Sequence, residues 1–129
     1  MAAALGQVIP VLRSFDEART RDFYLNFLGF DHVFEHRFED WAPLYMGVRH
    51  GACLIHLSEH YGDATPGATV RIEVDDVVAY AAELRAREHG NSRPGVPQET
   101  PWGTREIGIK DPASNTLIFF TRNAGSAGG

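Results

Sequence analysis

Pro101-Trp102-Gly103-Thr104-Arg105-Glu106, with Asp111-Pro112-Ala113-Ser114-Asn115 close behind it, is the stretch that decides the fold. It reads as a tight turn, a strand of alternating character from Arg105 to Lys110, a second tight turn and the apolar strand Thr116–Arg122. Upstream, Thr69–Val74 reads as a strand, and Asp75 or Asp76 caps a helix through about Arg87. Val77, Tyr80, Ala81 and Leu84 line one side of that helix, while Glu83 and Arg87 form an exposed i, i+4 pair. His89 to Pro101 is rich in Gly, Pro, Asn and Ser and reads as a loop. These elements make one βαβββ unit.

The first half carries the same order. Val8–Leu12 is a short strand, with Pro10 tolerable only at an edge or strand end. Ser14 and Glu17 have capping-box spacing and open a helix through Leu28, with Phe23, Tyr24, Phe27 and Leu28 as its apolar face. Gly29 ends it as a left-handed cap with Phe30 as the hydrophobic contact. His32–Phe38, Leu44–Arg49 and Ala52–Ser58 are strands, with His50-Gly51 turning the last pair. The expected architecture is α+β: two βαβββ modules whose curved mixed sheets pair around a cleft, in a dimer. Residues 1–122 form a single domain on this reading, with module one at about 8–58, a linker at 59–67 and module two at about 68–122. The tail 123–129 is expected to be disordered.

Composition bounds the partners. A formal net charge of −5 disfavours a nucleic-acid partner, which needs a basic face, and is compatible with a cationic ligand. No run approaches the ~18 apolar residues of a membrane helix, so no membrane partner is expected. The opening Met1-Ala2-Ala3-Ala4-Leu5-Gly6 lacks the basic segment and long apolar core of a secretory signal. One cysteine, Cys53, excludes an internal disulfide framework and fits a reducing compartment. A cytoplasmic location is the expectation.

The markers Ile9-Pro10-Val11-Leu12-Arg13, Asp16, Asp22-Phe23-Tyr24, Leu28-Gly29-Phe30, Val74-Asp75-Asp76-Val77 and Asp111-Pro112…Asn115 resemble the vicinal-oxygen-chelate superfamily. That superfamily holds glyoxalases, extradiol dioxygenases, and the bleomycin and fosfomycin resistance proteins. The resemblance covers roughly residues 8–122. The turn Pro101-Trp102-Gly103 running through Arg105-Glu106 into Asp111-Pro112-Ala113 is most similar to bleomycin resistance proteins. Such a resemblance implies a homodimer that sequesters a cationic, metal-binding glycopeptide in interface grooves without altering it. It also implies Pro10 as a hinge for exchange of the first strand between subunits.

Metalloenzymes of the superfamily place ligands on the first and last strand of each module. By resemblance those positions fall at about Ile9, His56, Thr69 and Ile118. Isoleucine cannot bind a metal and threonine is a poor ligand, so His56 stands alone and no metal or other cofactor is expected. His56 then reads either as a histidine satisfied by a hydrogen bond or as a polar contact to a bound ligand.

The ligand candidates follow from what a planar heteroaromatic guest requires, namely flat apolar side chains with a few orienting polar groups. Trp102 stands first because it sits on a loop, although it also suits a lid over the core. Phe34 and Phe38 share a strand face and resemble by position the aromatics that line the drug groove, or they belong to the core. Trp41, beside Glu39 and Asp40, suits a cationic guest or a plain surface hairpin. Arg105 and Glu106 fall on opposite strand faces, so one of them can reach the cleft, or they make a structural pair. Cys53, with no acid–base partner nearby in sequence, reads as packing.

The expected function is a binding protein of the bleomycin-resistance type rather than an enzyme. The alternative is a glyoxalase- or dioxygenase-like metal-dependent lyase or oxygenase with a divergent site around His56.

Overall fold

Apolar residues at every second position of the long strands dictate one buried side and one free side, and both sheets follow that rule. A computed structural model describes residues 2–87 and 94–124. Its elements in chain order are β1 (Val11–Arg13), α1 (Glu17–Arg21) continuing as a π-helical turn (Asp22–Phe27), β2 (Asp31–His36), β3 (Tyr45–His50) and β4 (Cys53–Ser58). The second half supplies β5 (Thr69–Glu73), α2 (Val77–Ala86), β6 (Gln98–Glu99), β7 (Thr104–Lys110) and β8 (Thr116–Arg122).

The strands form two open four-stranded sheets of the same order, β1-β4-β3-β2 and β5-β8-β7-β6. In each, the first strand pairs parallel with the last and the other pairings are antiparallel. The duplicated βαβββ architecture is therefore present in space as in sequence.

Local chemistry shapes the elements. Asp16, not Ser14, caps the first helix: its carboxylate accepts from the Arg19 N–H at 3.0 Å. Ser14 is instead held by its own N–H on the Ser58 carbonyl at 2.8 Å, which keeps it in line with the sheet. The expected single helix to Leu28 widens into a π-helical turn, with Leu28 N–H on the Phe23 carbonyl. That widening brings Phe23, Tyr24 and Phe27 all to full burial. Gly29 ends the turn at φ +83°, and the Phe30 N–H reaches back to the Tyr24 carbonyl.

The first strand begins at Val11 rather than Val8. Pro10, which has no N–H to give, still accepts the His56 N–H through its carbonyl at 3.0 Å. The turn between β3 and β4 falls one residue later than expected, on Gly51 and Ala52, with Gly51 at φ +59°. The expected strand to Phe38 stops at His36, and the loop before Pro101 contains the short edge strand β6. The expected loop from His89 and the expected tail lie partly outside the described residues.

One apolar core draws on the inner sides of both sheets and on both helices, from Leu12, Phe27 and Leu57 to Leu84, Ile107 and Phe119. Polar bonds join the halves across it. Tyr24 Oη donates to Asp111 Oδ2 at 2.7 Å, and Tyr80 Oη donates to the Leu28 carbonyl at 2.8 Å. Asp111 also accepts from the N–H groups of Ala113 and Asn115, while Asn115 Nδ2 donates to the Arg13 carbonyl. The Asp111–Asn115 turn is thus a structural joint. Burial, then the Asp111 charge, holds the Tyr24 phenol far above its ordinary range, so it stays a donor. Among the described residues no helix is long and apolar enough to cross a membrane.

Candidate functional site

Because the inner sides of the sheets share one core, each sheet's other face looks outward. Strand register sorts those faces into rows. On the first sheet, Phe34, Gly47, His56 and Val11 lie side by side across β2, β3, β4 and β1. The next row holds His36, Tyr45, Ser58 and Arg13. Phe34 lies over Gly47 so closely that a Cβ there would meet its Cε1 at 2.3 Å. Its ring stacks on Tyr45, with centroids 6.1 Å apart, and meets His56 edge-on at 5.0 Å. Tyr45 Oη and His56 Nδ1 are 2.7 Å apart. Burial pushes the imidazole pKa down, which favours the neutral ring as acceptor for the phenol. Burial, then the nearby Asp63 charge, pushes the Tyr45 phenol up.

The outward face of the second sheet is charged. Glu73, Phe120, Glu106 and Gln98 share a row across β5, β8, β7 and β6. Glu106 Oε2 accepts from Arg71 Nη2 at 2.7 Å, Thr104 Oγ1 at 2.6 Å and Trp102 Nε1 at 3.2 Å. Those donors, Arg71 foremost, hold its carboxyl below the usual range. The Arg71 guanidinium lies 4.5 Å above the Phe120 ring, and Arg122, bonded to Glu73, lies 5.7 Å from it. Trp102 stays 51% exposed while tethered by its indole N–H. Gly103, at φ +88°, supplies the turn that sets it there.

The candidates read from the sequence thus fall in different places. Phe34 and His56 are neighbours on the first face, and Trp102 lies on the second. Phe38 and Trp41 stand at 82% and 84% exposure, just past β2, where Phe38 touches the ring of His36 edge-on. Arg105 points to the helix side, where Glu99 binds its guanidinium, Nη2 to Oε1 at 2.5 Å. Its alternation with Ile107 and Ile109, both buried, is the sequence signal for that orientation. Glu106 occupies the outward side instead. Tyr45, Arg71 and Phe120 join the two faces without a signal of their own in the sequence. Arg71 meets Glu106 only through a register linking strands far apart in the chain.

The fold family's metal positions do not make a ligand set. His56 Nδ1 is engaged by Tyr45, Thr69 is paired beside Thr116, and Ile118 lies between Arg71 and Gly108. Among the described residues no three His, Cys, Asp or Glu side chains converge as metal donors. A separate cavity of about 340 Å³ is lined from the helix side by Phe30, Tyr80, Phe119 and Cys53. Burial pushes the Cys53 thiol up, away from nucleophilic chemistry.

Comparisons with known proteins agree with this fold. The family described as Glyoxalase superfamily protein matches residues 2–126. A bleomycin-binding protein from bleomycin-producing Streptomyces verticillus, solved in complex with copper(II)-bleomycin, is 30% identical with a TM-score of 0.70, covering 98% of this chain and 100% of its own. TnmS3, an antibiotic-binding protein from Streptomyces sp. CB03234, shares the fold at a TM-score of 0.74 and 21% identity, covering 95% of this chain and 100% of its own. The bleomycin resistance determinant encoded on transposon Tn5 does so at 0.70 and 23%, covering 93% and 99%. No curated protein matches the chain. With the matched family spanning nearly the whole sequence and the strand order duplicated, the chain belongs to the glyoxalase superfamily.

Proposed function

We propose that this protein sequesters a glycopeptide antibiotic of the bleomycin type, or a similar ligand, without modifying it and without a resident metal. The observation that carries the reading is the pair of outward faces, each presenting exposed aromatic surface beside oriented polar groups. Phe34 and His56 stand on one, and Trp102 tethered to Glu106 on the other. Both faces look away from the shared core, so a cleft between them needs a second copy of the chain. The homodimer belongs to the proposal for that reason, with two grooves, each closed by the first face of one copy and the second face of the other. A cytoplasmic site of action and the single-domain organisation of residues 1–122 belong to the same reading.

Similarity at 30% identity to a protein solved with copper(II)-bleomycin supports the ligand class. The acidic balance of the chain, −5, suits a cationic guest.

Calorimetric titration of metal-stripped protein with bleomycin, with and without copper on the drug, tests the reading. Saturable binding of one drug per subunit, with the drug's mass unchanged after incubation, is expected. A chemically altered drug would replace sequestration by catalysis, and no heat would remove bleomycin as the ligand.

A further inference from the structure

At one end of the first sheet, beside the row that holds Tyr45 and Arg13, lies a cavity of about 310 Å³ lined by Arg13, Ser14, Phe15, Arg37, Trp41 and Glu59. The two arginines in it are in different states. Arg37 is committed: Nη1 donates to the Ala42 carbonyl and Nη2 to Glu17. Glu59 is committed as well, through Oε1 to the Leu44 N–H at 2.9 Å. Arg13 is not. Its Nε–H is buried and has no acceptor among the described residues. In place of a carboxylate, two rings attend the guanidinium, Phe15 at 4.8 Å and Tyr61 at 5.8 Å from its carbon. Asp63, two residues past Tyr61, is spent on Ser58 Oγ at 2.6 Å.

A buried donor left without a partner carries a desolvation cost that a native fold rarely retains without use. The guanidinium lies over the Phe15 and Tyr61 rings rather than beside a carboxylate, and its terminal N–H groups match one. Trp41, 84% exposed on the cavity wall, offers a flat surface with no core to serve. We infer that this cavity is an anion site, in which the terminal Nη groups of Arg13, beyond its buried Nε, receive the carboxylate of an aromatic acid whose ring rests against Trp41. It goes beyond the proposed drug groove: Arg13 stands at the margin of the first outward face, but the guest is an anion and needs neither Trp102 nor a second copy of the chain.

The test uses the intact protein with 2-naphthoate as probe and 2-naphthamide as its uncharged counterpart. Calorimetry is run alongside nitrogen–proton NMR of the arginine side chains. The expected result is saturable binding of naphthoate, a shift of the Arg13 Nε–H resonance that naphthamide does not produce, and at least tenfold weaker naphthoate binding in Arg13→Gln. Trp41→Ala, a change at an exposed position, is expected to weaken naphthoate severalfold with the fold intact. The inference is overturned by equal affinity for acid and amide, by undiminished binding in Arg13→Gln, or by no binding to the wild type. Naphthoate is neither a glycopeptide nor a cation, so its result stands whether or not bleomycin binds.

Discussion

The two sheets share one strand order, yet their outward faces are held together by different forces. On β2–β4 the contacts are ring on ring and ring on backbone: Phe34 over Gly47, Tyr45 against His56. On β5–β8 they are charges in alternation, with Glu106 gathering Arg71, Thr104 and Trp102, and Arg122 tied to Glu73. A face held by shape responds chiefly to added or removed volume and little to salt. A face held by charge responds the other way. The same topology therefore provides one wall that is fixed by packing and one that is poised by electrostatics. A mixed apolar and polar guest would need both.

The largest expected effect lies in binding, at the charged wall. Trp102 is half exposed, and Glu106 holds its indole N–H. Trp102→Ala is expected to weaken bleomycin by about 30-fold or more, the scale of an interface anchor at about 2 kcal/mol. Phe34→Ala, whose ring is already stacked within its own sheet, is expected to cost about tenfold. Calorimetric titration of both variants decides the order. A larger loss at Phe34 would make the packed wall the dominant one and reverse the comparison.

Next comes a change that strikes the packed wall alone. A Cβ at residue 47 would stand 2.3 Å from Phe34 Cε1, so Gly47→Ala forces that ring off its seat. Overpacking of this kind costs about 1–3 kcal/mol, read as a lower urea midpoint. Trp102 emission in a Trp41→Phe background should stay unchanged, because Gly47 and the Glu106 cluster belong to different sheets. A shifted emission would mean that the two walls are coupled through the core.

Stronger acid should strike the charged wall through Glu106. The Glu106 carboxyl is held below its ordinary value of 4.5, first by Arg71. A depressed carboxyl contributes stability that is present above the unfolded value and lost as pH falls through the folded one. Below pH 4.5 the Trp102 tether is therefore expected to weaken, visible as a red shift in emission in the Trp41→Phe background. Glu106→Gln should abolish that pH step. Persistence of the step in Glu106→Gln would assign it to another acid.

How much of the molecule is legible in its sequence depends on whether the cause is local. The turns at Pro101–Gly103 and Asp111–Asn115 carry their own chemistry, and the strands they bound, β7 and β8, are readable to within a residue. Ser14 and Asp16 are both good caps, and only the hydrogen bond to Arg19 N–H separates them. β6, two residues long, has no period to detect. The orientation of Arg105 is readable, since it shares a face with Ile107 and Ile109. The Arg71–Glu106 pair is not, because it rests on β5, β8 and β7 lying side by side, a tertiary fact. That Arg13 Nε has no acceptor among the described residues likewise follows only once the surrounding strands are in place.

The smallest expected effect tests whether the packed wall is free of electrostatics. Tyr45 Oη and His56 Nδ1 form a polar contact between its rings, and Tyr45→Phe removes it with little change in shape. A typical hydrogen bond contributes about 0.5–1.5 kcal/mol net, so a drop of that size in unfolding free energy is expected near neutrality. The imidazole adds a pH dependence of known sign. Burial holds its folded pKa below the ordinary 6.5, so the unfolded chain binds the extra proton first, and stability falls as pH drops through that value. Unfolding by urea at about pH 7.5 and about pH 5.5 should show that loss in the wild type, and His56→Phe should flatten it. An unchanged slope in His56→Phe would remove the imidazole as a titrating group of the packed wall, and the contrast between the two faces would then be sharper still.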